Sequence, residues 1–390
     1  MVIVGGCGHV GLPLSVAFAN SGHDVTALDI SESAVQKVNL GTPPFWEPNL
    51  DSSLTQALAK GFIASLDPSC IEKSDFVIVV VGTPIDIHLN PDPNAVVEAV
   101  EKILVHLKNG HHIILRSTVF PGVTEQVENL LRKHKLDTSI TFCPERIAEG
   151  FAMKELHELP QIIGANSDSD FRMASELFQS LGVDTIRTTP QEAELAKLFT
   201  NTWRYIKFAA ANQFWMMAND SNVNFENVRD AIRYEYPRAS DFPGAGLTAG
   251  PCLFKDTMQL ATFSNNTFAL GNAAVMINEG LPLYLVEKLS EKYNLGSTHF
   301  GLLGMAFKGE SDDNRSSLAY KLKRLLKFKS AGVLTADPYV KNDNDLLDQS
   351  EVLKNSDVLI ISAPHERYKN LQTDKPIVDI WNLRGNGSSV

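Results

Sequence analysis

Short, almost wholly apolar runs recur through residues 1–165, separated by amphipathic stretches. Val2-Ile3-Val4 predicts a short buried strand, Gly11 to Ser21 a helix, Asp24 to Leu28 a second strand and Ser33 to Asn39 a second helix. Asp75 to Val81 (DFVIVVV) is apolar at nearly every position, as in strands that a parallel sheet buries on both faces. Val96 to Leu107 predicts a helix and Ile113 to Arg116 a strand. Strand–helix–strand alternation of this kind predicts a doubly wound α/β domain. The middle of the chain changes period. Glu192 to Asp220 contains neither Gly nor Pro and repeats apolar residues at helical spacing (Leu195, Leu198, Phe199, Ile206), which predicts one long helix. Val223 to Ile232 and Gly271 to Tyr293 also read as helices. After Asn294 the alternation returns, with strands at His299–Leu303, Gly332–Ala336, Asp357–Ile361 and Pro376–Ile380 and a helix at Ser316–Phe328. The expected architecture is therefore two α/β domains, each with a doubly wound parallel sheet, joined by a long helix and a central helical region. The boundaries fall at 1–188, 189–294 and 295–390.

At 390 residues the chain is too long for one ordinary core, which agrees with several domains. Its 44% hydrophobic and 21% charged residues fit a soluble globular protein. The net charge of −11 argues against nucleic acid or an anionic membrane as the main partner, but leaves room for a local basic pocket. Cys7, Cys70, Cys143 and Cys252 are scattered without a CxxC pair, so neither a zinc site nor a disulfide scaffold is expected, and no metal. A reducing, cytoplasmic setting follows. No apolar stretch reaches the ~18 residues of a membrane span, and the opening MVIVGGCGHVGL lacks the regions of a signal peptide.

Six segments carry candidate chemistry. Gly6-Cys7-Gly8-His9-Val10-Gly11 reads GxGxxG. It follows a strand, opens a helix and precedes a second strand ending in Asp29, which is the context of a Rossmann dinucleotide site. The glycines admit a pyrophosphate to the helix N-terminus, and Asp29 suits the ribose hydroxyls while repelling a 2′-phosphate, so NAD is expected over NADP. Thr83 in Val81-Gly82-Thr83-Pro84 and Thr118 in Arg116-Ser117-Thr118 end strands where ligands of α/β sheets sit; taken singly, each is equally well a polar strand cap. Glu145 and Glu149 are four apart, usually the mark of a surface pair, although a strand end and Pro144 precede them. Lys197 and Asn201 share a face of the long helix, either solvated or, if packed, in need of an anion or a polar pocket. Cys252 lies in GAGLTAGPCLFKDTMQL between helical segments; a lone cysteine is most often a small buried hydrophobe, as Cys7, Cys70 and Cys143 are read here.

Assembled in order, these segments resemble the UDP-glucose/GDP-mannose dehydrogenase family over essentially the whole chain. The resemblance runs from GGCGHVGLPLSVAFANSGHDVTALD through WEPNL, VGTP, RSTVFPG, CPERIAEG and ELAKLFTNT to GPCLFKD, LGMAFKGESDDNRSS and DPY. It implies an NAD-binding Rossmann domain first, a helical homodimerisation domain next and a UDP-sugar-binding Rossmann-like domain last. It also implies four-electron oxidation of a nucleotide sugar at C6 with two NAD and no metal. On this resemblance Cys252 is the nucleophile that forms a thiohemiacetal and then a thioester. Lys197 and Asn201 stabilise the alkoxide, Asp256 and Thr118 hold the catalytic water, and Glu145 is the base for hydrolysis. Glu149 and Lys308 contact the substrate, Arg315 and Lys37 the NAD, and Arg238 reaches the substrate of the neighbouring subunit.

The chain departs from the family pattern in two places. Ala249 and Pro251 stand where small flexible residues precede the cysteine, and Pro251 brings no N–H. Trp381 in VDIWN replaces an arginine of many UDP-glucose members, removing a charged fork. YPRASDFPGAG and CPERIAEG lean toward UDP-N-acetylmannosamine dehydrogenases, and LFKD toward the UDP-glucose branch. The expected substrate is a UDP-N-acetylhexosamine, with UDP-glucose as the alternative. A two-electron hydroxy-acid dehydrogenase needs neither Cys252 nor a second α/β domain. A non-catalytic NAD-binding regulator has no need to keep Cys252, Lys197, Asn201 and Asp256 together.

Overall fold

A computed structural model describes residues 1–83, 92–248 and 250–390. Pro84 of the Val81–Pro84 segment and Ala249 of the cysteine loop lie outside the described residues. The chain gathers into two compact units, Met1–Thr200 with Met258–Phe263, and Asn201–Thr257 with Ser264–Val390. The helical middle expected at 189–294 is shared between these two units. Its opening turns and one short segment belong with the first unit and the rest with the second.

The first unit runs β1 (Val2–Val4), α1 (Gly11–Asn20), β2 (Thr26–Leu28), α2 (Glu32–Asn39), α3 (Leu50–Ala59), β3 (Ile63–Ser65), β4 (Phe76–Val79), α4 (Ala95–Ile103), β5 (His112–Leu115), α5 (Val123–Lys133), β6 (Ser139–Phe142), α6 (Ala152–Glu155), β7 (Gln161–Ala165), α7 (Asp168–Gln179) and β8 (Thr185–Thr188), then enters α8 (Pro190–Asp220). Its sheet has the order β3-β2-β1-β4-β5-β6-β7-β8. β1 to β6 pair in parallel, and β7 turns antiparallel to β6. The strand order reverses between β1 and β4, the point at which such sheets bind ligands beyond their carboxyl ends. Burial follows from composition. β5 is buried at all four positions, and α1 (GLPLSVAFAN) is buried from Gly11 to Ala19, so it serves as a central core helix with no solvated stripe. Ser31 caps α2 and Ser167 caps α7, each accepting an N–H from the first turn.

The second unit contains the rest of α8, then α9 (Phe225–Arg233), the first five residues of α10 (Leu253–Phe263), α11 (Ala269–Lys292), β9 (His299–Leu303), α12 (Leu318–Lys329), β10 (Gly332–Ala336), α13 (Gln349–Asn355), β11 (Val358–Ile361) and β12 (Ile377–Val378). Its four strands are all parallel, in the order β10-β9-β11-β12. Trp215 of α8, Leu281 and Leu285 of α11, and Phe300 and Leu302 of β9 share one apolar core. Helices α8, α9 and α11 and this sheet are therefore built on a common interior. Among the described residues, no helix is long and apolar enough to cross a membrane, and no cluster of three His, Cys, Asp or Glu could hold a metal.

Candidate active site

In the first unit the glycine motif performs three separate tasks. A Cβ on Gly6 would lie 2.6 Å from the Ile3 carbonyl oxygen and 2.7 Å from Ala27, so Gly6 lets the turn pass against β2. A Cβ on Gly11 would strike the Gly5 oxygen at 2.1 Å, so the head of α1 packs directly on the turn. Gly8 is different: it is exposed, and its Cβ would meet nothing closer than 3.6 Å. Its missing side chain leaves room outside the protein rather than inside it, which fits a pyrophosphate lying over the α1 N-terminus. Val10 immediately precedes α1, and His9 stacks on Phe45 with ring centroids 4.1 Å apart. Asp29 follows β2 and accepts one hydrogen bond per oxygen, Oδ2 from Cys7 N–H (3.0 Å) and Oδ1 from Ser31 N–H (3.0 Å). Each oxygen keeps lone-pair capacity for ribose hydroxyls. Ile30, fully exposed beside it, supplies an apolar wall that the sequence reading missed. Lys37 is exposed in the last turn of α2. A nicotinamide dinucleotide fits this loop.

The ends of β4 and β5 are tied together. Thr83 Oγ1 donates to the Thr118 carbonyl at 2.8 Å, and Val81 N–H donates to Ser117 Oγ at 2.7 Å. One residue past β5, buried Arg116 gives Nε to Glu145 Oε2 (2.8 Å) and Nη1 to Gln161 Oε1 (2.8 Å) and to the Cys143 carbonyl (3.1 Å). Its guanidinium also lies 5.1 Å above the Phe178 ring. The second oxygen of Glu145 accepts the N–H groups of Arg146 (2.7 Å) and Ile147 (2.9 Å). Both oxygens of Glu145 are thus engaged. Glu149 is half-buried in the same loop, and Glu47 of WEPNL anchors that loop by accepting from Gly150 N–H (2.6 Å) and Ala152 N–H (2.9 Å). Arg116, Gln161 and Glu47 had no assigned role in the sequence reading. Only the presence of Glu47 in a quoted motif signalled it.

Helix α8 is locked by buried Glu194, which accepts from Gly122 N–H (2.7 Å), Thr124 N–H (2.8 Å) and Thr124 Oγ1 (2.6 Å) at the head of α5. Three residues on, Lys197 is 8% exposed and has no hydrogen-bond or ion-pair partner among the described residues. A buried cation without a counter-charge is costly. One turn further, Asn201 Nδ2 donates to Asp256 Oδ2 at 2.5 Å. Asp256 is fully buried in the first turn of α10, with Oδ1 lacking a hydrogen bond and 3.4 Å from Lys255 Nζ.

Cys252 immediately precedes α10 and is exposed. The residue stands at the N-terminus of an 11-residue helix, where N–H groups and the positive end of the dipole gather. The other thiols differ. Burial pushes Cys143 up to about 12, burial and then the Asp29 charge push Cys7 up to about 12, and half-buried Cys70 is also raised.

In the second unit, Asp337 ends β10 as Asp29 ends β2, but it accepts five hydrogen bonds. These come from Met305 N–H (2.6 Å), Ala306 N–H (3.0 Å), Tyr339 N–H (2.8 Å), Val340 N–H (3.0 Å) and His365 Nε2 (3.1 Å). His365 is fully buried, and its Nδ1 accepts Glu310 N–H at 3.0 Å, which fixes the proton on Nε2. This network shapes the loop from Gly304 to Glu310. On that loop Lys308 is half-buried, with Nζ 5.6 Å from the Phe307 ring centroid. Arg315 is held by Asp313, Nε lying 2.9 Å from each carboxylate oxygen. Arg238 projects from an exposed turn over Tyr236. Trp381 packs so tightly on Gly246 that a Cβ there would fall 2.2 Å from the indole.

The chain matches three family models. They are the NAD binding domain of the UDP-glucose/GDP-mannose dehydrogenase family over residues 1–182, its central domain over 191–280 and its UDP binding domain over 301–385. It is 32% identical to the UDP-N-acetyl-D-mannosamine dehydrogenase of Pyrococcus horikoshii, across 95% of this chain and 90% of that protein. A solved structure of the UDP-D-ManNAc dehydrogenase from P. horikoshii aligns with a TM-score of 0.90 at 29% identity, covering 98% and 96% of the two chains. A UDP-glucose dehydrogenase from Pyrobaculum islandicum aligns at 0.89 and 28%, covering 97% and 93%.

Proposed function

Given that the chain belongs to the UDP-glucose/GDP-mannose dehydrogenase family and is an NAD-dependent nucleotide-sugar oxidoreductase, we propose that it oxidises the C6 alcohol of a UDP-N-acetylhexosamine to the carboxylate through covalent capture on Cys252. The observation that carries this reading is the exposed Cys252 at the head of α10, four residues before a buried Asp256 already bound to Asn201. Bound NAD accepts the hydrides. Gly6, Gly8, His9, Val10 and Gly11 would hold it, with Asp29 on its ribose, and the family resemblance would add Thr83, Thr118, Lys37 and Arg315.

Lys197 and Asn201 donate to the C6 oxygen and stabilise its developing negative charge, and burial of both strengthens the effect. The Cys252 thiolate adds to the aldehyde carbon to give a thiohemiacetal, and loss of the second hydride leaves a thioester on sulfur. Water held by Asp256 and Thr118 adds to the thioester carbonyl, and the C–S bond breaks to release the carboxylate and the thiolate. If Glu145 is the base for that water, it must first open one of its bonds to Arg116 or to the loop N–H groups. Its resting role is to hold the loop that presents Glu149 to substrate. Lys308 contacts the nucleotide sugar. Exposed Trp203, Phe214 and Met217 on α8, with Met276 and Leu283 on α11, support a homodimer in which exposed Arg238 reaches a neighbour's substrate.

The names of the P. horikoshii relatives favour the N-acetylhexosamine. The alignment with a UDP-glucose dehydrogenase keeps UDP-glucose as the second reading. The test is to count NADH against sugar consumed on a panel of UDP-N-acetylmannosamine, UDP-N-acetylglucosamine, UDP-glucose and GDP-mannose. Two NADH per sugar is expected, with Cys252→Ser retaining NAD binding and losing turnover. One NADH per sugar, or near-normal turnover by Cys252→Ser, rejects the covalent four-electron course.

A further inference from the structure

We infer that Asn212 is a positioning residue for Cys252, acting through the backbone of Gly246. Asn212 and Asn278 are both fully buried. Gly246 N–H donates to Asn212 Oδ1 at 2.9 Å, Asn212 Nδ2 donates to Asn278 Oδ1 at 2.9 Å, and Asn278 Nδ2 donates to the Tyr205 carbonyl at 3.2 Å. The direction of this relay is fixed at both ends. A backbone N–H can only donate and a backbone carbonyl can only accept, so each amide has one satisfactory orientation. The relay ties α8, α11 and the loop before Cys252 into one polar unit within an apolar core, where a lost partner leaves an unsatisfied group.

Its place on α8 gives it meaning. Asn201 and Asn212 are 11 residues apart, three helical turns and about 16 Å along the axis, so both project from one face. Asn201 holds Asp256, four residues after Cys252, and Asn212 holds Gly246, six residues before it. One face of α8 therefore holds both flanks of Cys252. Gly246 cannot retreat from Asn212, because the Trp381 ring occupies the space where even a Cβ would lie. The cysteine loop is thus clamped between an amide on one side and an indole on the other.

This inference rests on Cys252 as the nucleophile, and the test separates the two. Asn212→Ala is compared with wild type by steady-state kinetics and by hydrogen exchange of the peptide spanning 244–252. The expected result is a fall in kcat of about 100-fold, the scale of a small misplacement of a reacting group. KM for NAD should not change, and exchange should speed up across 244–252 but not in β9 or β11. Asn278→Ala, which keeps the Gly246 bond but frees the Asn212 rotamer, is expected to give a smaller fall in kcat with the same unchanged KM, and serves if Asn212→Ala does not fold. Unaltered kcat, unaltered exchange at 244–252, or a parallel rise in KM for NAD overturns the assignment. If the wild-type chain converts no nucleotide sugar, the reading of Cys252 fails by itself, and the exchange measurement still decides whether Asn212 holds the loop.

Discussion

The carboxylate of Asp337 ties the stability of the second unit to acid. Burial alone would raise its proton affinity, but the hydrogen bond from His365 and the N–H groups of Val340 and Tyr339 outweigh burial and lower it from 3.8 to about 2. At about 1.4 kcal/mol per tenfold change in proton affinity, ionised Asp337 contributes about 2 kcal/mol to folding. The sign follows from a folded value below the unfolded one: the contribution is complete above the unfolded value and is lost as pH falls through 3.8 toward 2. Asp337→Asn cannot titrate, and its second oxygen position becomes an NH2 facing the Met305 and Ala306 N–H groups or those of Tyr339 and Val340. Urea unfolding of both proteins between pH 7 and pH 2 reads the difference. Wild type should be the more stable at neutral pH, and its advantage should shrink by about 2 kcal/mol across the acid window. Parallel stability curves from pH 7 to pH 2 would refute this electrostatic account of the Gly304–Glu310 loop.

Lys197→Met should raise thermal stability by about 1 kcal/mol, because it removes a buried cation without a partner, while abolishing turnover; a lower melting temperature would show that the ammonium is satisfied in the resting protein. Gly8→Ala and Gly11→Ala should behave oppositely in thermal melts and NAD titrations. Gly11→Ala, with its Cβ 2.1 Å from the Gly5 oxygen, should lose about 1–3 kcal/mol of stability, whereas Gly8→Ala should melt like wild type and bind NAD more weakly. Iodoacetamide at neutral pH should modify Cys252 before the other thiols in peptide mapping, because burial suppresses thiolate at Cys7 and Cys143. Preferential labelling of either buried residue would contradict the packing described here.

The periodic elements were legible because their cause is local. The predicted helix from Glu192 to Asp220 is α8 from Pro190 to Asp220, and β9 and β10 fall at their expected residues. DFVIVVV shortens to Phe76–Val79, and at its far end Val81 N–H turns to Ser117 Oγ. The reversed strand β7 and the α3–β3 pair went unread, since nothing in a short apolar run states its direction or its neighbour. The cysteine was placed in a loop, and its position at the head of α10 depends on the helix that follows. Least legible were the residues that hold others in place. Glu194 acts on Gly122 and Thr124 from some 70 residues away, Glu47 on Gly150 from 103, and Asn212 on Gly246 from 34. No local pattern marks a buried polar group whose partner is distant in sequence.

The paired aspartates at the ends of β2 and β10 bear on the traffic of coenzyme. Asp29 keeps one open side on each oxygen, whereas Asp337 spends its capacity on its own loop, and the segment after β9 reads GMAFKG with α12 starting only at Leu318. Of the two, Asp29 is the carboxylate that keeps acceptor capacity for the ribose hydroxyls of a dinucleotide. In the proposed four-electron course, which uses two dinucleotides in turn, the place at Asp29 must be vacated midway, and the half-oxidised sugar must outlast the exchange. On the proposed mechanism a covalent tether to Cys252 would meet that need, and the thiol would serve timing as much as reactivity.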